Sequence, residues 1–353
     1  MEKPQIIEHV NHSVNYTLFG ARWVPASARC VLFGQHARNT GALQVMALKD
    51  SKLELEAEVT RPHGIKCGTF KASSFEERHL AVGDFDGELS LWDLERLDNP
   101  VYSAKQHDGM IYCIDGAGGL NQGGAPEIAT GGKDGCVKIW DTRQPEVPVV
   151  DLAPEDSETA RDCWSVAFGH SFDEERCVAA GYDNGDLKLF DLRAMKLRWE
   201  TTLPNGICSL QFDRPDISMN KLLVSGLEST FNVFDMRTFN EKAGGYAAVT
   251  EKSHKATIWV GEHSPHDRDV FVTGGGNGAV NLWKYNYPKK RVEEDEDGQP
   301  RGVAGTVQFV NSSVVSTQPV ASFDWSSDMR GLAICTSFDQ AARVLYVTNL
   351  NLI

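Results

Sequence analysis

The chain has 353 residues, of which 41% are hydrophobic and 24% charged, and this composition excludes a mainly disordered or fibrous protein. Acidic residues outnumber basic residues by 49 to 35, so the formal net charge is −14. The one dense basic cluster, Lys289-Lys290-Arg291, leads directly into an acidic run that would repel a phosphate backbone. Because nucleic-acid binding draws on clustered cations, we expect no nucleic-acid partner.

The N-terminal sequence lacks the apolar segment and the cleavage site of a signal peptide, and no apolar run approaches the roughly 20 residues that span a bilayer. We therefore expect a cytoplasmic protein that does not bind membranes. The eight cysteines are scattered and form no C-x-x-C pair, which favours free, mostly buried thiols over a zinc or redox site.

Seven similar segments follow one another along the chain. In each, a short apolar run leads to a turn, after which polar and apolar residues alternate up to a bulky side chain. In chain order, these bulky residues are Met46, Trp92, Trp140, Phe190, Phe234, Trp283 and Leu345. Four of the turns are Asp-Gly or Asn-Gly, which favour the positive φ angles of tight hairpins, and alternation with period two is typical of strands. A further apolar segment precedes each hairpin.

Each repeat therefore predicts a small sheet of several strands, with no amphipathic helix between the sheets. One such sheet cannot bury both of its faces, whereas seven arranged radially can. The seventh repeat reaches the end of the chain, so its outer strand is expected from residues 4–10, which would remove the last free edge. The predicted fold is all-β: a single seven-bladed β-propeller over residues 1–353, closed into a ring by the N-terminal strand.

Dipeptides at the end of four repeats resemble the WD40 family: Trp-Asp at 92–93 and 140–141, and Phe-Asp at 190–191 and 234–235. Members of that family also contain a buried network of His, Ser or Thr, Asp and Trp within a blade. The resemblance implies two such structural networks, formed by His107, Thr130, Asp134 and Trp140 in the third repeat and by His254, Thr273, Asn277 and Trp283 in the sixth.

The step from the sixth to the seventh repeat is the longest, and its excess lies in residues 287–307. This insertion contains the basic cluster and the acidic run Glu293-Glu294-Asp295-Glu296-Asp297, followed by Gly298 and Pro300. Such a charge block is typical of a solvated, mobile loop. The alternative is a docking segment for a basic partner.

No sequence motif indicates catalysis. The chain contains no H-E-x-x-H, G-x-S-x-G, Walker A or dinucleotide-binding pattern, so we expect neither enzyme activity nor a cofactor. His9 with His12, or His263 with His266 and Asp267, lack a further ligand at useful spacing, and we expect no metal site.

In WD40-like rings, one face is lined by the hairpin before each bulky end residue and by the entry to each inner strand. Loops on a rigid scaffold commonly bind partners, and aromatic and Arg residues contribute most to such interfaces. Phe85, Arg161, Trp164 and Tyr182 are therefore the leading candidates, and the alternative for each residue is ordinary loop packing. The full set of candidate contact residues is Asp84, Phe85, Lys133, Arg161, Asp162, Trp164, Tyr182, Asp183, Asn205 and Phe338.

Several longer stretches go beyond the general WD40 pattern, among them residues 161–169, 180–193 and 216–221. They resemble the Monad family of WD40-repeat proteins, which are described as axonemal dynein assembly factors. The resemblance implies a cytoplasmic, non-catalytic scaffold, which we expect to be a monomer. Its implied partners are an Hsp90 co-chaperone assembly, with a tetratricopeptide-repeat scaffold, RuvB-like ATPases and prefoldin-like subunits, and axonemal dynein chains as clients. A link to apoptosis is also implied.

A second interpretation comes from the box Trp140-Asp141-Thr142-Arg143, which resembles one in WD40 substrate receptors of cullin–RING ubiquitin ligases. In that interpretation Arg143 and Arg193 dock the ligase adaptor. The alternative, which we favour, is that each arginine caps a blade corner by pairing with a nearby carboxylate. A third interpretation is capture of a phosphopeptide by a cluster of cations or of a methyl-lysine by an aromatic cage. The sequence leaves open whether Lys66, Lys133 and Arg161 converge into such a cluster.

Overall fold

Each of the seven repeats forms an antiparallel sheet of four strands. The computed structural model describes residues 3–120, 124–144, 146–154, 156, 158–169, 176–214, 219–294 and 298–353. The strands in chain order are β1 Ile6–Ser13, β2 Thr17–Trp23, β3 Arg29–Gln35, β4 Gly41–Lys49, β5 Lys52–Arg61, β6 Ile65–Thr69, β7 Leu80–Asp84, β8 Glu88–Trp92, β9 Tyr102–Lys105, β10 Ile111–Ala117, β11 Glu127–Gly132, β12 Val137–Asp141, β13 Val150–Leu152, β14 Cys163–Phe168, β15 Cys177–Tyr182, β16 Asp186–Asp191, β17 Lys196–Thr202, β18 Ile207–Phe212, β19 Lys221–Gly226, β20 Thr230–Asp235, β21 Ala248–Lys252, β22 Ile258–Ser264, β23 Asp267–Gly275, β24 Ala279–Asn286, β25 Val292–Glu294, β26 Pro300–Gly302, β27 Thr306–Val314, β28 Val320–Trp325, β29 Leu332–Ser337 and β30 Ala341–Val347.

The sheets are the blades of a propeller. From the inner to the outer strand, blade 1 contains β2–β5, blade 2 β6–β9, blade 3 β10–β13, blade 4 β14–β17 and blade 5 β18–β21, while blade 6 contains β22, β23, β24 and β27, and blade 7 contains β28, β29, β30 and β1. Each inner strand contacts the inner strand of the next blade, and β28 contacts β2, which completes the circle. The predicted all-β, seven-bladed propeller is therefore confirmed.

The hydrophobic core lies between the blades. Seven buried clusters are present in the described residues, and each combines side chains of two neighbouring blades, so that every blade interface contains one cluster. Between blades 1 and 2, for example, Phe33 and Leu43 pack with Val82 and Trp92. A single sheet would expose these residues, and the stability of each blade therefore depends on its neighbours.

The second hairpin of a blade also packs against the next blade. Gly87, in the Asp-Gly turn of blade 2, has φ of +83°, and a β-carbon there would lie 2.4 Å from the carbonyl oxygen of His107. Only glycine combines this left-handed conformation with so close an approach. The Asp-Gly signal in the sequence therefore reflects an interface between blades as well as a local turn.

The N-terminal strand closes the ring, as predicted. β1 pairs antiparallel with β30, from Ile6 opposite Val347 to Ser13 opposite Ala341. The strand occupies Ile6–Ser13, a few residues beyond the expected 4–10. No α-helix interrupts the described residues, which contain only two short 3₁₀ turns, at Glu241–Ala243 and Leu350–Leu352.

The insertion between β24 and β27 is folded over much of its length. Its arms form the hairpin β25–β26, and the Arg291 guanidinium lies 3.0 Å from Asp235 and donates to Asn220 of blade 5 over 2.7 Å. The sequence did not predict this hairpin or its anchor. The centre of the acidic run, residues 295–297, lies outside the described residues, so neither interpretation of that run is tested.

Candidate functional site

One face of the ring gathers all ten candidate contact residues, because in each blade the inner strand begins where the second strand ends. Six of them lie at the hairpin between the second and third strands, and four lie at the entry to an inner strand. We call this side the mouth face. The hairpin set is Asp84, Phe85, Lys133, Tyr182, Asp183 and Phe338, and the entry set is Arg161, Asp162, Trp164 and Asn205.

Every inner strand carries a β-bulge at its second or third residue, on the mouth face. The extra residue stands unpaired and directs its side chain differently from a regular strand. A bulge interrupts the alternation of polar and apolar residues, so this alternation did not reveal the bulge positions. The one available signal is that each bulge lies near the start of the apolar segment that forms an inner strand. The seven bulge residues are Phe19, Lys66, Tyr112, Trp164, Cys208, Trp259 and Ala321.

Phe19 is the centre of an aromatic group that joins three blades. Its ring centroid lies 5.4 Å from that of Phe85 in blade 2 and 6.4 Å from that of Phe338 in blade 7. The Lys66 ammonium lies 4.9 Å from the Phe19 ring, a cation–π contact, and burial lowers the pKa of Lys66. We call Phe19, Lys66, Phe85 and Phe338 the Phe19 cluster.

A polar group occupies the mouth face at blades 3 and 4. The Tyr112 hydroxyl donates to Asp162 over 2.8 Å, and the Asp162 carbonyl accepts from the backbone N–H of Asp183 over 3.1 Å. Burial and the Asp162 carboxylate raise the pKa of Asp183, and Arg161 opposes this shift.

Trp164 lies against Gly206, where a β-carbon would come within 2.8 Å of the indole.

Two of the ten candidates are poorly accessible. Asp84 is 8% exposed, and its carboxylate accepts from the backbone N–H groups of Asp86 and Glu88 over 2.9 and 2.8 Å. Tyr182, a leading candidate, is 7% exposed and packs in the core between blades 3 and 4. These side chains shape their hairpins and present little surface to a partner. Tyr182 is therefore a weaker candidate for partner contact than Phe85, Arg161 and Trp164, and Asp84 is a weak candidate as well. The other eight are partly or largely exposed.

Below the mouth, polar side chains of the inner strands join neighbouring blades around the channel. Asp324, Asp115 and Gln211 accept hydrogen bonds from backbone N–H groups of the next blade over 2.7, 2.9 and 2.5 Å. Lys71 pairs with Asp115 at 3.0 Å, and Gln211 donates to Glu262 over 2.5 Å. Burial raises the pKa of Glu262 to about 7, although the positive charge of Lys71 acts to lower it.

The structure forms both networks that the WD40 resemblance implied. In blade 3, His107 Nδ1 lies 3.0 Å from Asp134, His107 Nε2 lies 2.8 Å from the Thr130 hydroxyl, and the Trp140 indole donates to that hydroxyl over 2.9 Å. With its proton on Nδ1, His107 donates to Asp134 and accepts from Thr130, so every polar atom is satisfied. Burial alone would raise the pKa of Asp134, but the His107 hydrogen bond holds it below its ordinary value.

The blade 6 network has the same arrangement, but the contact between its histidine and Asn277 is longer than the matching contact in blade 3. His254 Nε2 lies 2.7 Å from the Thr273 hydroxyl, which also accepts from Trp283 over 2.9 Å, whereas His254 Nδ1 lies 3.4 Å from Asn277. Burial lowers the pKa of His254, and the neutral asparagine offers little compensation. Both networks lie inside blades, where they support hairpins.

The two arginines of the adaptor-docking interpretation lie at blade corners. The Arg143 guanidinium donates twice to Asp141 in its own blade, over 2.9 and 2.6 Å, and its side chain is 63% exposed. Arg193 is exposed, and its backbone N–H donates to Asp191 over 2.9 Å. The Arg143 pairing is what the corner-cap interpretation expects.

Among the described residues, the cysteines and histidines form no recognisable metal site. All eight cysteines are free, and four are buried. Burial raises the pKa of Cys67 and Cys335 to about 12, which keeps these thiols protonated. Within the described ranges, no group of three or more His, Cys, Asp or Glu side chains could hold a metal ion.

Comparison with known proteins gives two results. The family model described as "WD domain, G-beta repeat" matches residues 98–141, which contain the hairpin of blade 3. A Xenopus laevis protein, dynein axonemal assembly factor 10, is 55% identical over 99% of this chain and 98% of its own length. The chain belongs to the dynein axonemal assembly factor 10 family. Family members from Homo sapiens and Chlamydomonas reinhardtii are each 53% identical over the same shares of both chains.

Membership of the dynein axonemal assembly factor 10 family confirms the resemblance to axonemal dynein assembly factors. The identity extends over nearly the whole chain, so it includes both the repeats and the segments between them. In the part of the chain that the structure describes, no helix has the length and apolar character to cross a membrane.

Proposed function

We propose that this chain is a non-catalytic WD40 scaffold that supports the cytoplasmic preassembly of axonemal dynein arms. The observation that carries this proposal is the identity of 53–55% over 99% of the chain with relatives named dynein axonemal assembly factor 10. The identity covers the whole ring and not one repeat alone, which supports a role shared with these relatives.

The proposed partners follow the family resemblance. The scaffold connects an Hsp90 co-chaperone assembly, with its tetratricopeptide-repeat scaffold, RuvB-like ATPases and prefoldin-like subunits, to axonemal dynein chains. A propeller suits this role because its blades support one another through seven interfaces, so its loops are held in fixed positions.

The mouth face is the proposed docking surface for one of these partners. Aromatic side chains lose little conformational entropy on binding and dominate interface energies, and the Phe19 cluster offers several of them at one place. Phe338 is 38% exposed, and Arg161 is exposed on the same face. The buried Tyr182 is a poor choice for a test because its substitution would disturb the core.

The test is affinity purification from ciliated cells, followed by mass spectrometry. We expect the wild-type chain to recover RuvB-like ATPases and dynein heavy chains, and the double variant Phe338→Ala/Arg161→Ala to recover at least one of these partners about tenfold less. The control is Phe239→Ala, which removes a phenylalanine that is 51% exposed beyond the opposite end of a blade 5 strand.

One outcome would contradict the scaffold role, and another would contradict the choice of the mouth face. Recovery of cullin and its adaptor in place of these partners would favour a ubiquitin-ligase receptor. Unchanged recovery by a well-folded double variant would leave the scaffold role intact but exclude the mouth face.

A further inference from the structure

The outer strand of blade 6 differs from the other six outer strands, all of which are fully described. β27 reads Thr-Val-Gln-Phe-Val-Asn-Ser-Ser-Val and contains no charged side chain over nine residues. Each of the other outer strands, β1, β5, β9, β13, β17 and β21, contains at least one. The comparable long strand, β5, places three glutamates at alternate positions.

Charge on an outer strand is protective. An edge strand presents unpaired backbone N–H and C=O groups, and proteins commonly prevent unwanted pairing with charged side chains or with short strands. β27 is long and uncharged, and among the described strands it pairs only with β24, at the outer edge of its sheet. In the described part of the chain, the outer backbone edge of β27 therefore has no strand partner, and the Asn311 side chain donates to the Pro4 carbonyl of the N-terminal segment over 2.6 Å.

The side chains of β27 are also unusually exposed for apolar residues. Val314 is 71% exposed and Phe309 is 52% exposed, and Phe309 lies edge-on over Trp283 at 5.3 Å between ring centroids. An added strand would cover both residues through cross-strand contacts. The strand thus offers backbone hydrogen bonds and apolar contacts together, the two contributions that strand addition uses.

We propose that β27 accepts an extended segment of a partner protein as a fifth strand of blade 6, and that this segment is uncharged at its centre and flanked by Lys or Arg. This interaction surface lies on the outer rim and is independent of the mouth face.

Charge determines the kind of occupant. The chain carries a net charge of −14, so a second copy is repelled and a cationic segment is attracted. The hairpin β25–β26 comes just before β27 in the chain, and the Arg291 guanidinium next to this hairpin is already paired with Asp235. Glu293 and Glu294 are exposed on β25.

The test uses synthetic peptides and the full chain. Both peptides have the centre Thr-Val-Thr-Phe-Thr-Val-Thr, and they are flanked at each end by two lysines or by two glutamates. We expect the lysine-flanked peptide to bind, measured by fluorescence anisotropy, and the glutamate-flanked peptide to bind at least tenfold more weakly. N-methylation of alternate backbone amides in the first peptide should abolish binding, because a strand must donate through them.

The chain variants locate the site. Val314→Lys and, separately, Phe309→Lys should each weaken binding at least tenfold without lowering the thermal midpoint, since both side chains are more than half exposed. The matched control is Leu55→Lys, which adds the same charge at an apolar residue that is 50% exposed on β5. Phe338→Ala on the mouth face should also leave peptide binding unchanged.

Three results would overturn the proposal. They are the absence of binding by the lysine-flanked peptide, equal binding by its N-methylated form, and equal effects of Val314→Lys and Leu55→Lys. Concentration-dependent dimerisation that Val314→Lys abolishes would assign the edge to a second copy instead, which also contradicts it.

Discussion

Arg343 and Glu8 join the two ends of the chain: the guanidinium Nε of Arg343 lies 3.2 Å from the Glu8 carboxylate on the neighbouring strand. The Arg343 side chain is only 7% exposed and also pairs with Asp339, whose pKa it holds at about 2 although burial would raise it. The strand that closes the ring is therefore held by backbone pairing and by a nearly buried cation.

Deletion of residues 1–10 should open the ring. The deletion leaves most of the outer edge of β30 without a partner strand, although β30 still pairs with β29, and it exposes apolar residues at the interface of blades 1 and 7, such as those around Val10. We expect the midpoint of thermal unfolding, followed by circular dichroism, to fall by roughly 10 °C or more. Deletion of residues 1–3, which precede β1, is the control. An unchanged midpoint in the longer deletion would show that β1 is dispensable.

Thr130→Val should destabilise the chain through the blade 3 network. The change preserves shape but removes the hydroxyl that bonds to His107 and accepts from Trp140, which leaves two buried polar groups unsatisfied. We expect a loss of about 1–3 kcal/mol in the free energy of unfolding, measured with urea. Thr273→Val in blade 6 is the matched comparison and should cost less, because its histidine is already weakly bonded at Nδ1. An equal cost would contradict this ranking.

Glu262→Gln should make stability less sensitive to a rise in pH from about 4.5 to about 7. Burial raises the pKa of Glu262 from an ordinary 4.5 to about 7, so the folded chain binds this proton more tightly than the unfolded chain. The contribution of Glu262 to stability is then lost as pH rises from about 4.5 to about 7, and each pKa unit corresponds to about 1.4 kcal/mol.

The glutamine variant stays uncharged and can keep the Gln211 hydrogen bond. We therefore expect it to gain stability relative to the wild-type chain between pH 5 and pH 8, measured by urea unfolding at both values. A difference that does not change with pH would show that Glu262 titrates normally in the folded chain.

Lys221→Met should be among the most damaging single changes. The Lys221 side chain is fully buried, and its ammonium lies 3.1 Å from Asp213, 2.9 Å from Asp269 and 2.6 Å from the Tyr287 hydroxyl. Its removal leaves the buried Asp213 carboxylate without a cation, at a cost of roughly 3–5 kcal/mol in urea unfolding.

Adding Asp213→Asn to Lys221→Met should recover part of that loss, because the stranded charge is then removed. Lys49→Met, in an exposed pair with Glu56, serves as the control and should leave stability nearly unchanged. If the double variant were no more stable than Lys221→Met, the cost would come from packing and not from the stranded carboxylate.

The features that could be predicted from the sequence are those with a local signal. Period-two alternation identified seven hairpins, four of them with an Asp-Gly or Asn-Gly turn, and their number and regular spacing indicated the ring. The network residues of blades 3 and 6 stood at family positions, and the contact candidates at the loops of one face. The solvent exposure of these candidates could not be predicted. Tyr182 and Asp84 stand at the same hairpin positions as exposed candidates, and their burial depends on the adjoining blades.

By itself, the sequence determined the number of blades in the ring, the hairpin turns within them and the closure of the ring by the N-terminal segment, because these depend on residues close together or on a repeated pattern. Only the tertiary structure decided which side chains meet across blades. Phe19 and Phe338 lie more than 300 residues apart, and Lys221 meets Tyr287 from another blade. Such contacts follow from the positions of whole sheets, which no local pattern of residues specifies.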